Sequence, residues 1–322
     1  MKHYTDPIQA DLQAFESHFK STLRSPIPLL DIILRYLVKR KGKQLRPALV
    51  FLTARLTGLP ITERTHRGAA LVELMHTATL IHDDVVDDSP IRRGFFSINA
   101  LWKNKGAVLV GDYLLSRVLL LAVEHQDHDL LYHVSSSVKA MSEGELLQLE
   151  KARRLDIVES VYYEIIEKKT ASLMASCCGV GAASTGADAA AVEAVRRFGL
   201  ALGMAFQIRD DLLDYRQYDQ TGKPNGIDIK EHKMTLPLIY ALQQADPAER
   251  KSMIRTVKKD ADRPDRVQAL MDRVVALGGV SYAEATMHRY KEEAVEHLNH
   301  FPDSDAKEAL RLLAEFVVAR KK

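Results

Sequence analysis

Apolar positions recur at helical spacing along nearly the whole chain, and the gaps between the runs carry helix start and stop signals. Asp6-Pro7 sets a capping residue before a proline at the first helical position, and Ile8, Leu12, Phe15 and Phe19 follow three or four residues apart. Runs at 29–38 and 47–58 come next, the second closed by Gly58, and Thr62 opens a long third segment. Helices are further predicted over 98–126, over 133–150, from Asp156 through Lys168-Lys169-Thr170, and over 188–215. Residues 219–237, with their glycines, prolines and asparagine, predict a loop of roughly fifteen residues, long enough to suggest a functional lid. Beyond it, breaks at Asp246-Pro247, Arg263-Pro264, Gly278-Gly279 and Pro302 cut the remainder into four or five amphipathic helices. The expected class is all-α.

The length of 322 residues suggests two domains by size, yet no Pro/Gly/Ser-rich linker divides the chain, so one domain over 1–322 is expected. Hydrophobic content of 46% against 27% charged residues suits a globular protein with a sizeable core. A net charge of +2 with scattered Lys and Arg argues against nucleic acid as a partner. The only cysteines are the adjacent Cys177 and Cys178, which form no disulfide framework and point to a reducing cytoplasm. The first residues lack an apolar signal region, and the most apolar run, 107–123, carries Asp112 and Arg117. A cytoplasmic protein with at most peripheral membrane contact is expected.

Candidate chemistry concentrates where the segment opened by Thr62 ends. Asp83, Asp84, Asp87 and Asp88 fall within six residues, and Arg92 and Arg93 follow a Ser-Pro break. On a helix Asp83 neighbours Asp87, and Asp84 neighbours Asp88, at a cost of about 0.2–0.5 kcal/mol per like-charge pair. A compensating cation is required, and a hard divalent ion held by carboxylates and substrate phosphates meets that need. His76 lies seven residues, or two turns, before Asp83 on the same face. The pattern repeats at Asp210, Asp211 and Asp214, 127 residues further on, again at the end of an apolar segment. His82-Asp83 also evokes the metal-dependent HD phosphohydrolases, but that reading leaves the second D-D-x-x-D box unexplained.

The two boxes resemble those of the trans-polyprenyl diphosphate synthases, and the resemblance covers nearly the whole chain. It implies a single large helical bundle around a central cavity, the isoprenoid synthase fold. It implies Mg2+-dependent, repeated condensation of isopentenyl diphosphate onto an allylic diphosphate primer. Asp83, Asp84, Asp87, Asp210 and Asp214 would then hold Mg2+, three ions with substrate bound. The family's G-K-x-x-R-P element matches Gly42, Lys43, Arg46 and Pro47; with His76 and Arg93 it would bind isopentenyl diphosphate. Arg92, Lys169, Thr170, Lys223 and Lys233 would bind the allylic diphosphate, and Gln207 would bind substrate. Asp83, Asp87, Lys169, Asp210 and Lys233 form the expected catalytic group. Lys41, Gln44 and His232 depart from the family's usual glycine, arginine and glycine.

Loss of diphosphate from the primer is the hard step, and cations placed around the leaving group are the usual largest catalytic term. No side-chain base for the final proton stands out, which leaves the released diphosphate as acceptor. The helices at 98–126 and 133–150, the latter with Gly144-Glu-Leu-Leu-Gln148, resemble those through which relatives form homodimers. The basic end Arg320-Lys-Lys322 resembles tails that cover isopentenyl diphosphate in related enzymes. Ala78 and Thr79 are small where short-chain relatives carry a blocking aromatic, so a long product for quinone side chains is expected. The alternatives are a farnesyl or geranylgeranyl synthase, a terpene cyclase, and a non-catalytic helical partner. The matches at Lys43, Arg46, His76 and Arg93 weigh against the cyclase, and two intact boxes against the inactive partner.

Overall fold

The computed structural model describes residues 3–38, 44–92, 94–154, 157–215 and 226–320, with only the backbone of His18, Ser21, Arg92, Arg153 and Arg154. Lys43, Arg93 and Lys223 lie outside the described residues. After a single 3-10 turn (Asp6–Ile8) come α1 (Gln9–Thr22), α2 (Pro28–Val38), α3 (Leu45–Leu56) and α4 (Glu63–Val86). A hairpin of β1 (Ile91–Arg92) and β2 (Phe95–Phe96) leads into α5 (Ile98–Glu124) and α6 (His128–Arg154). Then follow α7 (Glu159–Ile166), a π-helical turn (Glu167–Ala171), α8 (Ser172–Ser184), α9 (Ala189–Leu213) and α10 (Ile227–Lys230). The chain continues through α11 (Leu236–Gln244), α12 (Pro247–Lys259), α13 (Pro264–Ala276) and α14 (Gly279–His297), then a 3-10 turn (Leu298–His300) and α15 (Asp305–Ala319).

Local chemistry explains several boundaries. Asp246 accepts from the amides of Ala248 and Glu249 at 2.9 Å each, ahead of Pro247 at the first helical position. Ser97 caps α5 by accepting from Ala100 at 3.0 Å, and Asp188 accepts from Ala191 at 2.8 Å ahead of α9. Three features go beyond the predicted helices. Ile91–Phe96 pair as an antiparallel hairpin in register Ile91 with Phe96, turned by Gly94 at φ 80°. Lys103 (φ 63°) breaks α5 near its start. The predicted loop contains the single helical turn α10.

The chain divides into two compact units. The first comprises Met1–Val138, Met174–Arg196 and Leu298–Leu312. Here α3 is buried on nearly every face from Pro47 to Ala54, which accounts for its unbroken apolar sequence. A Cβ at Gly111 of α5 would meet Nε2 of His82 on α4 at 2.1 Å, so the glycine permits that approach. His82 itself lies 3.3 Å from the Val108 carbonyl, a packing role on α5. Buried Asp127 accepts from Arg64 at 3.0 Å and from Arg67 at 2.8 Å, fixing the start of α4.

The second unit comprises Lys139–Leu173, Arg197–His297 and Leu313–Lys322. Its core gathers α7, the later part of α9, and α11 to α14 around Leu236, Leu238 and Ile239. Among the described residues one helix, α5, is long and apolar enough to cross a membrane; a third of its apolar window is buried within the protein.

Candidate active site

The first box sits in the first unit, at a helix C-terminus. Asp83 and Asp84 occupy the last turn of α4, Asp87 is its C-cap, and Asp88 turns left-handed at φ 47°. The Asp87 amide donates to the Asp83 carbonyl at 2.8 Å, so these two remain stacked one turn apart. The helix stops at Val86, so Asp88, itself left-handed, lies beyond it rather than in the helical turn above Asp84. Asp83 is half-buried, Asp87 exposed and Asp84 buried.

A cavity of about 130 Å³ lies beside Asp84, lined by Arg46, Glu73 and His76 and by apolar Phe15, Phe19 and Leu37. Arg46 on α3 brings Nε to 3.6 Å from Glu73 on α4. The first unit therefore gathers Arg46, His76 and Asp84 on one cavity. Ala78 is fully buried and Thr79 half-buried, and neither lines this cavity or the one in the second unit.

The second box ends α9. Asp210 and Asp211 lie in its last turn and Asp214 just beyond, but the three carboxylates have different surroundings. Asp211 is buried, accepting from the Tyr162 hydroxyl at 2.7 Å and from Gln207 Nε2 at 2.9 Å. Thr170 donates to Gln207 Oε1 at 2.8 Å, which extends the chain of hydrogen bonds to the π turn. Asp214 accepts from the amides of Ile227 and Asp228 at 3.0 and 3.2 Å, tying α10 to the end of α9. Asp210 accepts from Arg320, whose guanidinium lies 3.8 Å from the Phe206 ring centroid. The carbonyl of Arg320 in turn accepts two bonds from Arg209, at 3.0 and 2.7 Å. The basic end thus rests on the second box, while Lys321 and Lys322 lie outside the described residues.

A second cavity, of about 180 Å³, is lined by Gln148, Tyr162, Lys169, Thr170, Gln207, Asp211, Asp228 and Lys233. It brings together Lys169, Thr170, Gln207 and Lys233 from separate elements. Lys169 donates to Gln148 at 3.2 Å and pairs with Glu145, while Lys233 pairs with Glu231. The π turn that carries Lys169 and Thr170 is an extra-wide turn of a kind often found at functional sites. Two glycines leave room for it: a Cβ at Gly144 would lie 2.9 Å from the Lys169 amide, and one at Gly203 would lie 2.4 Å from Ala171 Cα.

The carboxylates of the second unit crowd one another. Burial, then the charge of Asp228, pushes Asp211 up to about 8. Burial, then the charge of Asp214, pushes Asp228 up to about 6. Both boxes also face the negative end of a helix dipole, which disfavours each surface carboxylate by about 0.3–1 kcal/mol. Hard oxygen donors under such mutual repulsion fit Mg2+. Among the described residues no group of three or more His, Cys, Asp or Glu side chains is placed to hold a metal ion by itself.

A family model described as polyprenyl synthetase matches residues 27–274. The chain belongs to this family. It is 34% identical to an all-trans-nonaprenyl-diphosphate synthase (geranyl-diphosphate specific) of Rhodobacter capsulatus, over 98% of this chain and 96% of that one. It is 35% identical to a short chain isoprenyl diphosphate synthase of Methanothermobacter thermautotrophicus, over 89% of each. In structure it is similar to a polyprenyl synthase from Caulobacter crescentus CB15 complexed with calcium and isoprenyl diphosphate. That likeness has a TM-score of 0.90 and 35% identity, and covers 99% of this chain and 97% of that one.

For a polyprenyl synthetase, the sequence reading omitted several residues that line or support these sites. Tyr162, Asp211, Glu145 and Gln148 carry no predicted role, although Asp211 lies inside the second box and Glu145 and Gln148 inside the Gly144-Glu-Leu-Leu-Gln148 stretch; Tyr162 falls in no motif. Glu73, beside Arg46, carried no motif signal; its place one turn before His76 on the same helix is the clue that was available.

Proposed function

We propose that this prenyltransferase condenses isopentenyl diphosphate repeatedly onto an allylic diphosphate to give a long all-trans polyprenyl diphosphate, within one catalytic domain over 1–322. The observation that carries this reading is the shared cavity of Lys169, Thr170, Gln207 and Lys233 beside Asp211 and Asp228. Two ammonium groups converge there on a space suited to a diphosphate, and their charge opposes the charge that grows as the allylic C–O bond breaks. Arg46 and His76 supply the matching donors for isopentenyl diphosphate on the other cavity.

Asp83, Asp84 and Asp87, with Asp210 and Asp214, would hold up to three Mg2+ ions. When bound, those ions neutralise the leaving diphosphate and fix its orientation. Lys43, Arg92, Arg93 and Lys223 are proposed to complete the diphosphate contacts. Phe15, Phe19 and Leu37 keep an apolar wall beside Arg46 and His76 in the first cavity. A homodimer is part of the proposal: Leu109, Leu119, Leu120 and Val123 of α5 and Tyr132 of α6 all expose apolar surface.

The test is incorporation of radiolabelled isopentenyl diphosphate with geranyl, farnesyl and geranylgeranyl primers, with products sized by chromatography. Asp83→Ala and Asp210→Ala should each lower turnover by about 100- to 1000-fold, as expected for loss of a main electrostatic stabiliser. Near-normal turnover in either variant would remove that box from the mechanism.

A further inference from the structure

Lys233 follows directly on a residue whose backbone and side chain are both constrained. His232 adopts φ 56°, a left-handed conformation that side chains bearing a Cβ seldom enter. Its amide donates to the Ile229 carbonyl at 3.1 Å, and the Lys233 amide donates to the Asp228 carbonyl at 2.8 Å. These two bonds close a tight turn at the end of α10. A glycine would make the same turn with less strain.

The imidazole adds what glycine lacks. Its Nδ1 lies 2.8 Å from the carbonyl of Val257, in the last turn of α12. A carbonyl only accepts, so Nδ1 carries the hydrogen. The last four carbonyls of a helix have no partner within it, and a side-chain donor from outside satisfies one of them. His232 therefore caps α12 and pins the turn to it.

Lysine reaches its ligand through a long flexible stem, so the fixed position of its backbone decides how often the ammonium group enters the cavity. We infer that His232 is a positioning residue, anchoring the α10 turn to α12 so that Lys233 is held ready for the allylic diphosphate. The inference rests on the reading of Lys233 as a ligand of that diphosphate.

The test compares His232→Gly with His232→Asn by steady-state kinetics. Glycine relieves the backbone and drops the anchor. Asparagine tolerates the left-handed turn and carries an amide donor at the same distance along the side chain. With one supporting hydrogen bond lost, His232→Gly should raise KM for the allylic primer about three- to tenfold. KM for isopentenyl diphosphate should stay unchanged, and His232→Asn should restore the parent value. In the metal-free protein, hydrogen exchange at the Lys233 amide should quicken in His232→Gly alone.

Lys233→Ala should itself raise the allylic KM, and adding His232→Gly to it should change nothing further, since coupled residues are not additive. A fully additive double variant, an unchanged allylic KM in His232→Gly, or an asparagine variant no better than glycine would each overturn the inference. An unchanged allylic KM in Lys233→Ala would overturn the reading of Lys233 and the inference with it.

Discussion

Arg320 donates to Oδ1 of Asp210, so a side-chain cation rests on the first carboxylate of the second box. The hold is reinforced behind it by Arg209, which grips the Arg320 carbonyl, and by the Phe206 ring beneath the guanidinium. A metal ion at Asp210 has to compete with that pairing.

Arg320→Met keeps much of the packing on Phe206 and removes the charge. Mg2+ with inorganic pyrophosphate should bind the variant about two- to fivefold more tightly, reflecting the roughly 0.5–1 kcal/mol of a partly exposed ion pair that no longer has to be broken. Isothermal titration calorimetry measures the difference. Weaker binding would make Arg320 part of the diphosphate clamp instead.

Stability of the metal-free protein should fall as pH rises. An unfolded aspartate titrates near 3.9, whereas folding pushes Asp228 up to about 6 and Asp211 up to about 8. Between those values the folded state holds more protons than the unfolded state, so each unit of pH favours unfolding until the folded groups also ionise. Melting midpoints in EDTA should decline from about pH 4 to pH 8 and then level off. Asp211→Asn should flatten the upper part of that decline; a profile that rises through this window would contradict the assignment.

Gly203→Ala places a methyl group 2.4 Å from Ala171 Cα, where backbone rather than a flexible side chain must give way. A loss of about 1–3 kcal/mol in urea unfolding is expected from such overpacking. Because Ala171 closes the π turn that presents Lys169 and Thr170, KM for the allylic primer should rise more than KM for isopentenyl diphosphate. Equal effects on both constants would leave the glycine a packing role only.

Ala78→Phe should shorten the product while sparing the first condensations, if the growing chain passes along α4 away from Asp83. Ala78 is fully buried, so the ring has to displace neighbours, and the melting midpoint belongs beside the product sizes. Unchanged chain lengths in a folded variant would remove Ala78 from length control.

Helix boundaries and the two boxes were legible in the sequence because their causes are local. Asp246-Pro247 both caps and starts a helix, and a spacing of four residues makes Asp83 and Asp87 neighbours on any helix. What could not be read depends on residues far apart in the chain. The π turn needs two glycines, on α6 and α9, to fit, and nothing in Lys168-Lys169-Thr170 announces it. The contact of Arg320 with Asp210 spans 110 residues. His232 stood out only as an unexpected residue, and its bond to Val257 explains how a side chain can serve where glycine is usual.

Cys177 and Cys178 sit side by side on α8 with no exposed surface. Burial pushes Cys177 up to about 12 and holds Cys178 well above the ordinary thiol range. Thiol reagents attack exposed thiolates, and neither residue offers one. The native chain is therefore a silent background for site-specific labelling. Val86→Cys, at an exposed position next to Asp87, would carry a fluorophore or spin label alone and report, in real time, how the end of α4 responds as ligands arrive.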